Sequence, residues 1–362
     1  MPDAQADLPR ARSHPDARID RATLVTGVGS MPGTDSAEAT RIVAGELDVP
    51  HVVELPARGP GADLIGRTLA LLVAQTGEFG AETTPSGWRL SGGRAGGAPS
   101  RPMRLGIAWV AEDSDRLEEA LQGFAGPVKL QVTGPWTLAA GLESPRGHRV
   151  LADSGLCADL ASALAETVGG RAADLRRRVP GADVVVQLDE PSLPGVLAGG
   201  LRTPSGRGAV RVPEPAEVSA ALSRVTEAAR DAGAVEVVAH CCAGRVPFDL
   251  FERSGFSAVG VDLAAVGPGA DEALGRWWDA VGRVVLGVAP ALDPQPAARR
   301  TMPESLARSV ADTWGRIGFG AADVAERTWL SPACGLAGAS PAWARVVGSL
   351  LREAAGLLES AD

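Results

Sequence analysis

The chain has 362 residues, 45% of them hydrophobic and 22% charged, with a formal net charge of -9; this suits one large soluble domain or two ordinary ones with a substantial core. The acidic balance disfavours nucleic acid and anionic membrane as partners, because both recruit clustered positive charge. All but one of the 35 basic residues are arginine and tyrosine is absent; the lone lysine, Lys129, lies outside any Gly-Lys-Ser/Thr triplet, which excludes a phosphate-binding P-loop.

Residues 1–21 are polar, contain Ala and Pro, and lack the apolar stretch of a secretory signal, which predicts a mobile tail and a reducing, cytoplasmic setting. No later stretch has the roughly 18 apolar residues of a membrane helix. The remainder, 22–362, reads as one domain. Eight β-like runs follow: LVTGVG from Leu24, HVVE from His51, VKLQVT from Val128, VVVQLD from Val184, VEVVAHCC from Val235, AVGVD from Ala258, VVLGV from Val284 and TWLS from Thr328. Most are continuous apolar runs, the pattern of parallel strands covered on both faces. Segments of helical period alternate with them, at Ser36 to Leu47, Gly61 to Gln75, Leu151 to Arg178, Pro215 to Ala232, Asp271 to Val281, Pro303 to Ile317 and Pro341 to Leu358.

Eight strand-helix units predict an α/β fold of the (β/α)8 TIM barrel type. Trp88 to Leu90 and Arg104 to Val110, on either side of SGGRAGGAPSRPM, read as a β-hairpin inserted between the second and third units, at about 86–110. The alternative, an open doubly wound sheet, lacks its phosphate fingerprint: the first strand is followed by GVGSMPG.

In such a barrel the C-terminal strand ends form the functional face. Ser30, Glu54, Asp189, Glu190, His240, Cys242, Asp262 and Cys334 all fall at or just past those ends. In AHCC, His240 and Cys242 are two apart and share one face of the strand while Cys241 faces away. An imidazole and a thiolate side by side begin a zinc site, and Cys334 in SPACGL supplies a second thiolate. Cys157 and Cys241 read as small buried hydrophobes. Asp189 and Glu190 face opposite ways on a strand, so only one of them enters the cavity; the rival reading of the two is a helix cap or a surface pair before Pro191. Ser30 lies in a tight turn and is also a candidate N-cap for the helix beginning near Ser36. Glu54, if buried, requires a positive partner, such as a ligand's amino group.

VGSMP, VVELPARG, LQVTGPWTL, VQLDEPSLPG, AHCCAG, AVGVD and ERTWLSPACGL, in that order, cover nearly the whole chain from about residue 24. Together they resemble the catalytic, C-terminal domain of the cobalamin-independent methionine synthase family, which shares a fold superfamily with uroporphyrinogen decarboxylase. The resemblance implies a methyltransferase that methylates the thiol of homocysteine. It implies zinc held by His240, Cys242 and Cys334, with Asp262 where the family has glutamate. It also implies an amino-acid pocket in which Ser30 and its turn meet the substrate carboxylate while Glu54 and Asp189 hold its ammonium group.

The chain departs from the family on the donor side. Gly195 replaces an acidic folate contact, Leu292 stands at the place of a proton-donating histidine, and 362 residues leave no room for the family's N-terminal half. The donor is therefore read as methyltetrahydrofolate or a methylcorrinoid, the latter carried by a partner corrinoid protein. A metal-free decarboxylase-like enzyme and an inert zinc- or amino-acid-binding barrel with a regulatory role are the rival readings.

Overall fold

The computed structural model describes residues 23–91, 98–203, 208–294, 301–320, 324–325 and 327–360. The tail expected over 1–21 lies outside the described residues, as does the middle of the glycine-rich stretch, 92–97. The strands are β1 (Gly80–Thr84), β2 (Gly87–Ser91), β3 (Ala125–Thr133), β4 (Leu142–Glu143), β5 (Gly181–Asp189), β6 (Glu236–Cys241), β7 (Ala258–Asp262), β8 (Arg283–Ala289) and β9 (Thr328–Pro332).

Six of them form a parallel sheet in the order β3-β5-β6-β7-β8-β9, curled as half a barrel. Their Val-rich runs are buried on both faces, as continuous apolar patterning demands. Parallel pairing brings all C-terminal ends to one side. Thr133 pairs with Asp189, Asp189 with His240, and His240 with Gly260, so the polar strand ends lie level with one another.

The runs at Leu24 and His51 differ from the expected full strands. They join the sheet through isolated parallel bridges: Val25 to Leu330 of β9, Thr26 to Val49, Ser30 to Glu54, and His51 to Lys129 of β3. Their composition limits pairing. Pro50 has no amide to give, and Gly27 leaves room for the His51 ring, which a Cβ there would meet at 2.3 Å.

Among the described residues, buried apolar side chains divide into two clusters. The large core lies between sheet and helices. A small separate cluster of Val49, Val185, Val238, Ala258, Val285 and Trp329 fills the concave face, with Leu24 against it. It supports the polar layer above.

The expected hairpin is displaced. Trp88 to Leu90 does belong to an antiparallel hairpin, but its partner is β1, with Thr83 opposite Trp88 and Ala81 opposite Leu90. Arg104 to Val110 lies instead in the helix Arg101–Ala120. That helix buries Met103, Gly106, Val110, Ser114 and Leu117, a three-to-four-residue spacing that the short window LGIAWV conceals. The helices otherwise follow the expected periodicity, from Ser36–Glu46 to Pro341–Glu359.

Candidate functional site

Two groups of side chains occupy the C-terminal end of the sheet. The first spans the bridged segments, β3 and β5. The backbone after Gly29 turns sharply and is held on both sides: the Met31 amide donates to the Glu54 carbonyl at 2.8 Å, and the Leu336 amide to the Ser30 carbonyl at 2.8 Å. Ser30 does not cap the following helix, because Asp35 takes that role by accepting from the Glu38 amide. Its hydroxyl packs instead over Gly335, where a Cβ would lie 2.0 Å from Oγ. This brings the Ser30 turn against the loop that carries Cys334.

Glu54 is buried, and its positive partner is internal. Arg67, from the helix Leu64–Thr76, places Nη1 3.3 Å from Glu54 Oε1, and Gln131 Nε2 donates to the same oxygen at 3.1 Å. Arg67 carries no local signal in the sequence, where it lies among the apolar residues of LIGRTLALL. Asp189 accepts from Gln187 Nε2 at 2.7 Å through Oδ1. Burial raises its pKa to about 6, with the Glu54 charge adding to the rise and His240, Lys129 and Gln187 opposing it. Between them lies Lys129, 1% exposed, whose Nζ donates to the Val28 carbonyl at 2.9 Å and to Gln187 Oε1 at 2.6 Å. Burial lowers the ammonium pKa to about 8 against the pull of Asp189 and Glu54.

Glu190 points the other way, as alternation requires. Its Oε1 accepts from the Trp136 amide at 2.9 Å, and its Oε2 from the Thr137 amide and hydroxyl, both at 2.7 Å. It thus caps the helix Pro135–Gly141. A Cβ at position 134 would lie 2.4 Å from Glu190 Oε1, so Gly134 is required in the TGPWT segment. Burial raises Glu190 to about 7.

The second group is on β6 and the loop after β9. Cys241 is fully buried in the outer core, and His240 and Cys242 flank it. Cys242 Sγ and Cys334 Sγ are 3.7 Å apart. Cys334 is held far below the ordinary thiol range, to about 4, by its contact with Cys242 and by the adjacent His240; the same contact pushes Cys242 upward. His240 Nε2 is buried and has no hydrogen-bond partner among the described residues. Gly260 opposite leaves the imidazole its space, since a Cβ there would approach Nδ1 at 3.1 Å. Asp262 ends β7 and accepts from the Ala264 and Ala265 amides through Oδ1, capping the short helix Leu263–Val266.

Among the described residues, no group of three or more His, Cys, Asp or Glu side chains is already gathered at metal-holding distances. The donor chemistry nevertheless fits zinc. Two sulfurs about 2.3 Å from a tetrahedral zinc lie about 3.8 Å apart, and an orphaned imidazole nitrogen buried beside them is a ligand without a partner. Elsewhere, Cys157 packs as a buried thiol, as expected of it. Leu292 is 58% exposed, and Asp293 beside it accepts from the Ser340 amide and hydroxyl.

Comparison with known proteins adds three findings. The profile of the catalytic domain of cobalamin-independent synthases matches residues 122–357. A solved B12-independent methionine synthase from Shewanella sp. W3-18-1, in complex with selenomethionine, is 14% identical with a TM-score of 0.59, covering 93% of this chain and 98% of that one. A putative glycoside hydrolase from Bacteroides vulgatus is 12% identical with a TM-score of 0.46, covering 92% of this chain and 56% of that one. No curated protein sequence matches.

Proposed function

The chain belongs to the family of cobalamin-independent synthase catalytic domains, which are methyltransferases, and from that premise we propose that it methylates the thiol of homocysteine at a zinc site. We read 22–362 as one closed (β/α)8 domain, with the parallel bridges at Val25, Thr26, His51 and Ser30 joining the two further segments between β9 and β3.

The observation that carries the zinc reading is the 3.7 Å sulfur pair beside the unpartnered His240 Nε2. His240, Cys242 and Cys334 would hold the metal, with Asp262 as the fourth candidate. Bound zinc supplies Lewis acidity that keeps a substrate thiol ionised and nucleophilic at neutral pH. The chain's own residues supply orientation. The turn at Ser30 takes the acceptor's carboxylate, and Glu54 and Asp189 take its ammonium group. Both internal contacts of Glu54 fall on Oε1, so its charge is only partly spent on Arg67 and Gln131. Burial of this end of the barrel strengthens each of these contacts relative to water.

The donor is methyltetrahydrofolate or a methylcorrinoid. Folate needs its amine leaving group protonated, and Leu292 offers no proton where a histidine is expected; a methylcorrinoid, held by a partner protein, needs none. A cytoplasmic setting keeps the two thiols reduced.

The test is zinc content with acceptor binding. Purified protein is expected to hold one zinc per chain, to lose it in the His240→Ala variant, and to bind homocysteine in calorimetry. Metal-free protein that still turns over a carboxylated substrate would favour the decarboxylase-like alternative, and binding with no turnover on either donor would favour an inert regulatory barrel.

A further inference from the structure

Lys129 and Gln187 stand on the neighbouring strands β3 and β5 and converge on one atom, the carbonyl oxygen of Val28. Lys129 Nζ reaches it at 2.9 Å and Gln187 Nε2 at 2.9 Å. The two side chains also bond to each other, from Nζ to Gln187 Oε1 at 2.6 Å, and Gln187 continues to Asp189 Oδ1 at 2.7 Å. A continuous buried chain of hydrogen bonds therefore runs from the backbone two residues before Ser30 to the carboxylate of Asp189.

The position does not call for a charge. Lys129 pairs in register with Val185, which belongs to the apolar cluster on the concave face. Extending that cluster with an apolar side chain would cost little, since buried ionic groups seldom outperform well-packed hydrophobic ones in stability. What an apolar side chain would not do is fix the Val28 carbonyl relative to Asp189.

We propose that Lys129 and Gln187 are positioning residues, a strut that sets the spacing between the Ser30 turn and Asp189 and so makes the pocket selective for an L-α-amino acid acceptor. The inference rests on the amino-acid pocket described under Proposed function. Neither side chain needs to touch the acceptor: the strut fixes the groups that receive its carboxylate and its ammonium relative to the third point, the sulfur site at Cys242 and Cys334, and an amino acid of the opposite hand cannot meet all three points at once. Coupling through packed, hydrogen-bonded groups of this kind holds a site rigidly enough to discriminate.

Calorimetric titration of the full chain and of its Lys129→Met and Gln187→Met variants with L- and D-methionine tests this. Folded variants are expected to bind L-methionine at least about tenfold more weakly, with the L-to-D affinity ratio reduced at least fivefold and zinc content unchanged. Folded variants with unaltered affinity and unaltered ratio would overturn the strut. So would failure of both variants to fold, because the pair would then be holding the barrel itself. Wild-type protein that binds neither L-methionine nor homocysteine overturns the pocket reading along with the strut, whereas wild-type binding with unchanged variants overturns the strut alone.

Discussion

The two halves of the strand-end face are built on opposite principles. On the side of the bridged segments, β3 and β5, nearly every charge is answered from within: Arg67 and Gln131 meet Glu54, and Gln187, itself bonded to Lys129, meets Asp189. On the side of β6, β7 and the loop after β9, glycines open space, two sulfurs touch, and a buried imidazole nitrogen has no partner. A satisfied polar network gives rigidity, while unsatisfied soft donors give affinity for something absent from the chain. The contrast supports the proposed reading, in which one half holds an acceptor's charged end and the other a metal.

The largest effect is expected from breaking the open half. Cys242→Ser or Cys334→Ser removes a thiolate ligand and with it several kcal/mol of metal assistance, so methyl transfer should fall on the order of a thousandfold or more. Melting temperatures of the metal-free proteins should move little, since both sulfurs lie near the surface of the fold. An activity assay beside thermal denaturation checks both. The wired half should respond the other way. Arg67→Met leaves Glu54 buried without its cation, and urea unfolding should show a loss of about 3–5 kcal/mol.

Glu190 sharpens the comparison through pH. Its pKa rises from the usual carboxylate range in the unfolded chain to about 7 in the folded one, so the folded state binds more protons between those values. Its contribution to stability is complete below the unfolded pKa and is lost as pH rises through about 7, a change of about 3 kcal/mol. Asp189, raised to about 6, adds in the same direction. Glu190→Gln should flatten the decline, measured as unfolding free energy at pH 5 and pH 8.

The smallest stability effect is expected at Asp262. Asp262→Asn keeps an oxygen to accept from the Ala264 and Ala265 amides, so stability should stay within about 0.5 kcal/mol. If it is the proposed fourth ligand, its substitution should lower zinc affinity by about tenfold or more. Metal titration with unchanged affinity would leave Asp262 as a helix cap alone.

Much of this arrangement is legible in the sequence. Strands buried on both faces announce themselves as Val-rich runs, and the two-residue spacing of His240 and Cys242 places both on one face. The helix Arg101–Ala120 is hidden because a six-residue apolar window fits either period, and its burial pattern emerges only across Met103 to Leu117. The acceptor half is the least legible. Arg67 meets Glu54 across a distance that no local pattern encodes. Yet Lys129, Gln131 and Thr133 on β3, and Gln187 and Asp189 on β5, repeat at every second position. Polar residues alternating inside otherwise apolar strands are the signal of a polar lumen, and they also mark Lys129, whose rarity suggests only a compositional habit.

Methyl transfer itself tests the division most directly. Zinc-loaded protein incubated with homocysteine and either methylcobalamin or methyltetrahydrofolate should form methionine with at least one donor, and Cys242→Ser should abolish it. Absence of methionine with both donors, from protein shown to hold zinc and to bind homocysteine, would contradict the proposed activity.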